Sequence, residues 1–148
     1  MRFARVWGDI MAEIVLVRQN HHFETEFWAA DPQEDESAEL LPVTRIHSLT
    51  PYGMLLASLG ACTAVVVNTY AQHHGIHLHE VEMTLEYNRS FDEDCEDCEE
   101  LGEFHEDIEV AIRFDGDLTP AIQQRLLAVS KQCPIHKMLE DGIETRFN

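Results

Sequence analysis

From Ile46 to His79 the chain carries no Asp, Glu, Lys or Arg, although charged residues make up 26 % of its 148 positions. A segment with no charged face has to be covered on most sides. Its length would allow a membrane span. However, Pro51, Asn68, Gln72 and several Ser and Thr dilute it, and no basic residues flank it. The expectation is the buried central helix of a soluble domain, with no membrane. Thr50-Pro51 is a suitable opening, because Thr can cap and Pro is tolerated at the first helical position. Leu55, Leu59, Cys62, Val66 and Tyr70 recur at helical spacing, with Leu56, Thr63 and Val67 as a second row. Small residues (Gly53, Ala57, Ser58, Gly60, Ala61, Ala64) keep the helix thin, and Gly75 is its expected C-terminal cap.

Strands are expected on both sides of this helix. Residues 2–7, 12–18 and 21–28 read as short strands, with a tight turn at Arg18-Gln19-Asn20 and an acidic loop over 31–39. After the helix, a strand is expected over about 76–90. There Val81, Met83, Leu85 and Tyr87 alternate with polar residues, the period of a sheet covered on one face. A second follows at about 104–114, with Ile108, Val110, Ile112 and Phe114 inward. Asp117 to Pro120 opens another helix, Cys133-Pro134 breaks it and starts a short one over 134–140, and 143–147 reads as a last strand. The order implies a single α+β domain spanning residues 1–148, with sheet packed against helix. An acidic insertion at about 92–103 interrupts it.

The composition excludes some functions. The formal charge is -18, from 28 acids against 10 bases, and only two of the bases are lysines. Such a surface repels phosphate backbones and anionic lipid, so a nucleic-acid partner is not expected. The N-terminus shows no apolar core of a secretory signal. Four cysteines at irregular spacing then suit a reducing compartment, and a cytoplasmic location is expected.

Those cysteines are the residues best able to carry chemistry. Cys62 lies inside the central helix, where it is either an inert core thiol or a nucleophile that needs a cation nearby. Cys133, in Gln132-Cys133-Pro134-Ile135-His136, takes a helix cap position. There free N–H groups and the positive helix end favour a thiolate, and His136 can add a hydrogen bond. Cys95 and Cys98 form a C-x-x-C in a twelve-residue segment with eight acids. That pair reads as incidental thiols on a solvated loop, as two zinc ligands with His105 as a third, or as a redox pair blunted by the surrounding acids. The clustered histidines, His21-His22, His73-His74, His77 and His79, match no tight metal signature and read as surface or helix-end residues.

Two segments, Pro51-Tyr52-Gly53-Met54-Leu55-Leu56-Ala57-Ser58-Leu59-Gly60-Ala61-Cys62-Thr63 and Cys133-Pro134-Ile135-His136-Lys137-Met138-Leu139, resemble the two cysteine motifs of the OsmC/Ohr family. Gly116-Asp117-Leu118 also matches. The resemblance implies an intertwined homodimer with antiparallel sheets packed around central helices. It also implies a stress-response peroxidase that uses no metal, haem or flavin, with organic hydroperoxides or hydrogen peroxide as substrates and a dithiol as reductant. By position, Cys62 resembles the peroxidatic cysteine, which becomes a sulfenic acid, and Cys133 the resolving cysteine, which forms a disulfide with it. The family also places an Arg beside the first thiol, for which Arg45 is the candidate. A Glu orients that Arg, one or two positions after the Pro. Here those positions hold Tyr52 and Gly53, so the Glu is absent.

The missing Glu leaves a second reading open, an OsmC-like binding or storage protein without peroxidase activity. A zinc-binding module on Cys95 and Cys98 is a third. Independently of these, an acidic, lysine-poor surface suits a salt-rich cytoplasm, because added ions screen its self-repulsion. The melting temperature should therefore rise with added salt in a thermal scan, and a flat response would count against that adaptation.

Overall fold

The computed structural model describes residues 11–30, 39–91 and 104–148. The strand expected over 2–7 and the Cys95–Cys98 segment lie outside the described residues. Five strands form one antiparallel sheet: β1 (Met11–Asn20), β2 (Thr25–Ala29), β3 (Leu41–Pro42), β4 (Leu78–Phe91) and β5 (Phe104–Gly116). Their spatial order is β3-β2-β1-β4-β5. Among the described residues three α-helices pack with it: α1 (Pro51–His73), α2 (Pro120–Ser130) and α3 (Pro134–Asp141). This is the expected α+β architecture.

Period-two patterning decides which face of the sheet is covered. In the β1–β4 register Val15 lies opposite Leu85, Val17 opposite Met83 and Gln19 opposite Val81. All six are buried, while the alternate positions Arg18 and Glu82 form an ion pair at 2.7 Å on the other face. Helix α1 lies along the buried stripe and packs on β1 and β4. It has the length and mean hydropathy (1.6) of a membrane span, yet half of its apolar window is buried against the rest of the molecule. It serves as the core helix, as expected.

Two polar features set the helix in place. At its start Thr50 Oγ1 accepts the Gly53 N–H at 3.0 Å, with Pro51 in the first turn. In its second half, buried Asn68 donates to Gln19 Oε1 at 2.7 Å, and Gln19 donates to Thr25 Oγ1 at 2.8 Å. Buried amides are stable only when paired in this way. Gly75, at φ 63, ends the helix in the left-handed region.

Three expectations are corrected. The first turn comes later than Arg18-Gln19-Asn20, because Gln19 is needed inward to meet Asn68. Asn20 Oδ1 instead accepts from the N–H groups of His22 (2.9 Å) and Glu24 (3.1 Å), so the turn spans 20–23 and β2 begins only at Thr25. Residues 143–147 form no strand. They follow α3 without pairing to any strand among the described residues, and Phe147 is 94 % exposed. Val110 lies on the inner face of β5 but is 45 % exposed, because α1 covers β1 and β4 rather than the edge strand.

The helix meets the sheet most closely at Gly60. A Cβ there would lie 2.6 Å from Val17 Cγ2 and 2.9 Å from Leu85 Cδ1. Val17 is β-branched and fully buried, so it has little freedom to move. Gly60→Ala should therefore lower stability by about 1–2 kcal/mol in denaturant titration, although Ala is the better helix former.

Candidate functional site

Cys62 and Cys133 are 71 positions apart in sequence (62 to 133), and the packing of α3 on α1 brings the two thiols close enough to act on each other. Cys62 is half-buried on the side of α1 that faces α3, and Cys133 is fully buried. Both are free thiols.

Local sequence explains how each sulfur is held. Gly60 faces the sheet, and each helical residue turns about 100°. Cys62 is thereby carried away from the sheet, while Thr63 comes back toward the seam and is buried there. Cys133 takes the expected N-cap position of α3, in extended backbone (φ -56, ψ 130), with Pro134 as the first helical residue. Its sulfur makes no full capping hydrogen bond. The N–H groups of Ile135 and His136 nevertheless act on it from the helix start, and the Ile135 N–H acts on Cys62 as well.

The two thiols are driven in opposite directions. Burial pushes the Cys62 thiol up, contact with Cys133 raises it further, and the Ile135 N–H offsets this only in part. Burial also acts upward on Cys133. There the hydrogen bonds from Thr63, from Cys62 and from the two N–H groups outweigh it, and the thiol is held below its ordinary value.

Other candidates are placed differently. Arg45 is exposed, in extended backbone just before the short 3-10 turn Ile46–Ser48. Among the described residues, no cation is found among the groups acting on either thiol. The side chain of His136 pairs with Glu140 at 3.1 Å, so its contribution to Cys133 comes from the backbone rather than the ring. His105 is exposed on β5, and no cluster of three or more metal-type side chains occurs among the described residues.

A second polar group lies under the start of α1. Tyr52, where the family Glu is missing, stacks on Tyr87 with ring centroids 4.6 Å apart. Arg89 Nη1 approaches the Tyr52 hydroxyl at 3.4 Å, and the Tyr87 hydroxyl donates to Glu106 at 2.6 Å. Burial pushes the carboxyl of Glu13, beside the Thr50 cap, upward. Sequence reasoning did not single out Arg89 or Glu13. The available signal was their parity, since each continues an apolar inward stripe (81-83-85-87 and 15-17) with a charge. This group is ten residues from Cys62 along α1, about 15 Å of helix rise.

The chain was compared with known proteins. The family model described as OsmC-like protein matches residues 46–148, which include both cysteines of the contact. Among solved structures, an OsmC-like hydroperoxide resistance protein from Jannaschia sp. CCS1 superposes with a TM-score of 0.63 at 12 % identity, over 92 % of this chain and 91 % of that one. An OsmC-like protein from Mycoplasma pneumoniae gives a TM-score of 0.49 at 21 % identity, over 90 % and 87 %. No curated protein matches the sequence. With more than two thirds of its length matched by one family model, and a fold shared with a solved member, the chain belongs to the OsmC-like protein family.

Proposed function

We propose that this protein is a cysteine-based peroxidase that reduces organic hydroperoxides or hydrogen peroxide. The observation that carries the reading is the contact between Cys62 and Cys133 across α1 and α3. Cys62, the more accessible sulfur, attacks the distal peroxide oxygen, releases an alcohol or water, and becomes a sulfenic acid. Cys133 then attacks the Cys62 sulfur, and a disulfide forms as the hydroxyl leaves as water. An external dithiol resets the pair by exchange. Neither step uses a metal or organic cofactor. The solved relative from Jannaschia carries hydroperoxide resistance in its description, which favours the same chemistry here. Two free thiols in contact also suit a reducing cytoplasm.

The missing Glu does not remove the thiol pair. It changes what organises a cation at the helix entry, where Tyr52 now meets Arg89. Given cumene hydroperoxide and a dithiol, the wild-type protein should turn over. Cys62→Ser should abolish that turnover, and Cys133→Ser should reduce it sharply. Equal rates in wild type and Cys62→Ser would overturn the peroxidase reading and leave a binding protein of the same fold.

The working unit in this reading is a homodimer. α1 carries apolar side chains on its open face, with Met54 and Val65 exposed, and Val110 on β5 and Leu127 on α2 are exposed as well. An uncharged helix left half open calls for a covering partner. Sedimentation should give about twice 17.0 kDa, and Val65→Glu should shift the protein toward monomer. A wild-type monomer at micromolar concentration would exclude the assembly.

A further inference from the structure

The segment Ile143-Glu144-Thr145-Arg146-Phe147 leaves α3 and forms no helix, strand or turn, and all five residues are exposed. It nevertheless carries the alternation of a strand. The Arg146 guanidinium donates twice to the Glu144 carboxylate, both times at 3.0 Å, so these two side chains share one side of the chain. Ile143, Thr145 and Phe147 hold the alternate positions, which an extended chain sends to the other side. β-Branched and aromatic residues at such positions favour a strand. Two large apolar side chains of one short segment are thus left in water.

The sheet has the matching deficit. Among the described residues β5 ends the sheet, with β4 on one side and no strand on the other. Its free edge belongs to a strand of 13 residues, and such a row of backbone N–H and C=O groups is a template for a further strand. The inward residues Ile108, Ile112 and Phe114 are only partly covered, and Val110 is exposed. A groove of about 530 Å³ lies between Ile112 and Phe114 on β5 and Pro120, Gln123 and Leu127 on α2. On the outer face Arg113 is exposed, with Glu82 beside it at 3.2 Å.

We propose that residues 143–147 add to the β5 edge of a second copy as an antiparallel strand, each copy lending its segment to the other. Charge selects the direction. With Ile143 opposite Phe114 of the partner's β5, Glu144 meets Arg113, Thr145 meets Ile112 and Phe147 meets Val110. Ile143 then closes the groove, Phe147 covers Val110, and Arg113 gains a second carboxylate besides Glu82. In a parallel strand over the same residues Arg146 would face Arg113, and like charges directly opposite are destabilising. Pairing the two β5 edges with each other about Ala111 would set Asp107 against Asp115 and leave Ile143 and Phe147 in water.

The exchange reaches the thiol site through α3. That helix has eight residues, none of them buried, and its N-cap is Cys133. It packs on α1, and its C-cap, Gly142, leads directly into the exchanged segment. The second copy therefore holds α3 from its far end and keeps Cys133 beside Cys62. This deepens the homodimer of the proposed function, on which it rests, and is independent of the peroxide chemistry.

The test is sedimentation equilibrium of the full chain. Wild type should be a dimer. Phe147→Glu should raise its dissociation constant about a hundredfold, because each dimer loses the aromatic anchor twice. Ile143→Glu should act in the same direction. Both residues are exposed in the single chain, so neither change threatens its folding. For the register, all native cysteines are replaced by Ser. Glu144→Cys combined with Arg113→Cys should then oxidise to a disulfide-linked dimer, and Glu144→Cys combined with Asp107→Cys should stay unlinked. For the thiol site, Cys133 is left as the only cysteine. Its alkylation by iodoacetamide should speed up about tenfold when Phe147→Glu releases α3. A dimer as tight in Phe147→Glu as in wild type would overturn the strand exchange and leave a dimer formed through α1. A wild-type monomer would overturn both. Linkage of the Asp107 pair would overturn the register, and an unchanged alkylation rate the hold on α3. No step uses peroxide, so a protein that assembles as expected but turns over no hydroperoxide would sink the peroxidase reading alone.

Discussion

The close approach of α1 to the sheet at Gly60 governs the rest of the molecule. With no side chain there, the helix comes down until Val17 and Leu85 fill the space a Cβ would take. Helical geometry then fixes what the following residues do. Thr63, Ala64 and Val67 stay at or near the sheet, and Cys62 turns outward toward α3. The Asn68–Gln19 hydrogen bond holds the second half of the helix in the same rotation, since turning it would strand two buried amides. The meeting of two distant sulfurs is thus a consequence of helix–sheet packing rather than of any local motif.

At the site itself, hydrogen bonding carries the electrostatics. The protein has a formal charge of -18, and that field opposes another negative charge. Among the described residues no cation acts on either thiol. Neutral donors converge on Cys133 instead, at the start of a helix whose dipole favours an anion there. Such donors are fixed by the backbone and by burial, so solvent ions screen them little. The result is a pair of thiols in contact whose affinities for a proton are pushed apart.

The surface of α1 reflects a division of labour. One side meets the sheet, a second meets α2 and α3, and a third stays open although it carries no charge. At its start the helix rests on Tyr52, Tyr87, Arg89 and Glu106, a stack of rings with an ion at each side. This polar end and the thiol pair lie on one rigid element, about 15 Å apart by helix rise.

Much of this was written in local patterns. The uncharged run from Ile46 to His79 required a covered helix, Thr50-Pro51 set its start, and the alternation of Val81, Met83, Leu85 and Tyr87 set the buried face of β4. Cys133-Pro134 marked a cap, and the paired cysteine motifs marked the family. All of these are short-range signals, since periodicity, capping and proline chemistry act within a few residues. Other features depended on partners far along the chain. The turn moved past Gln19 because that amide was required by Asn68, the segment 143–147 stayed unpaired among the described residues, and Val110 stayed exposed because α1 stops short of β5. Sequence alone therefore determined the main helices, the long strands after α1 and which residues could react. The tertiary structure decided which of those residues meet, because contact across 71 positions is set by how the helices and sheet pack, and no local rule encodes that packing.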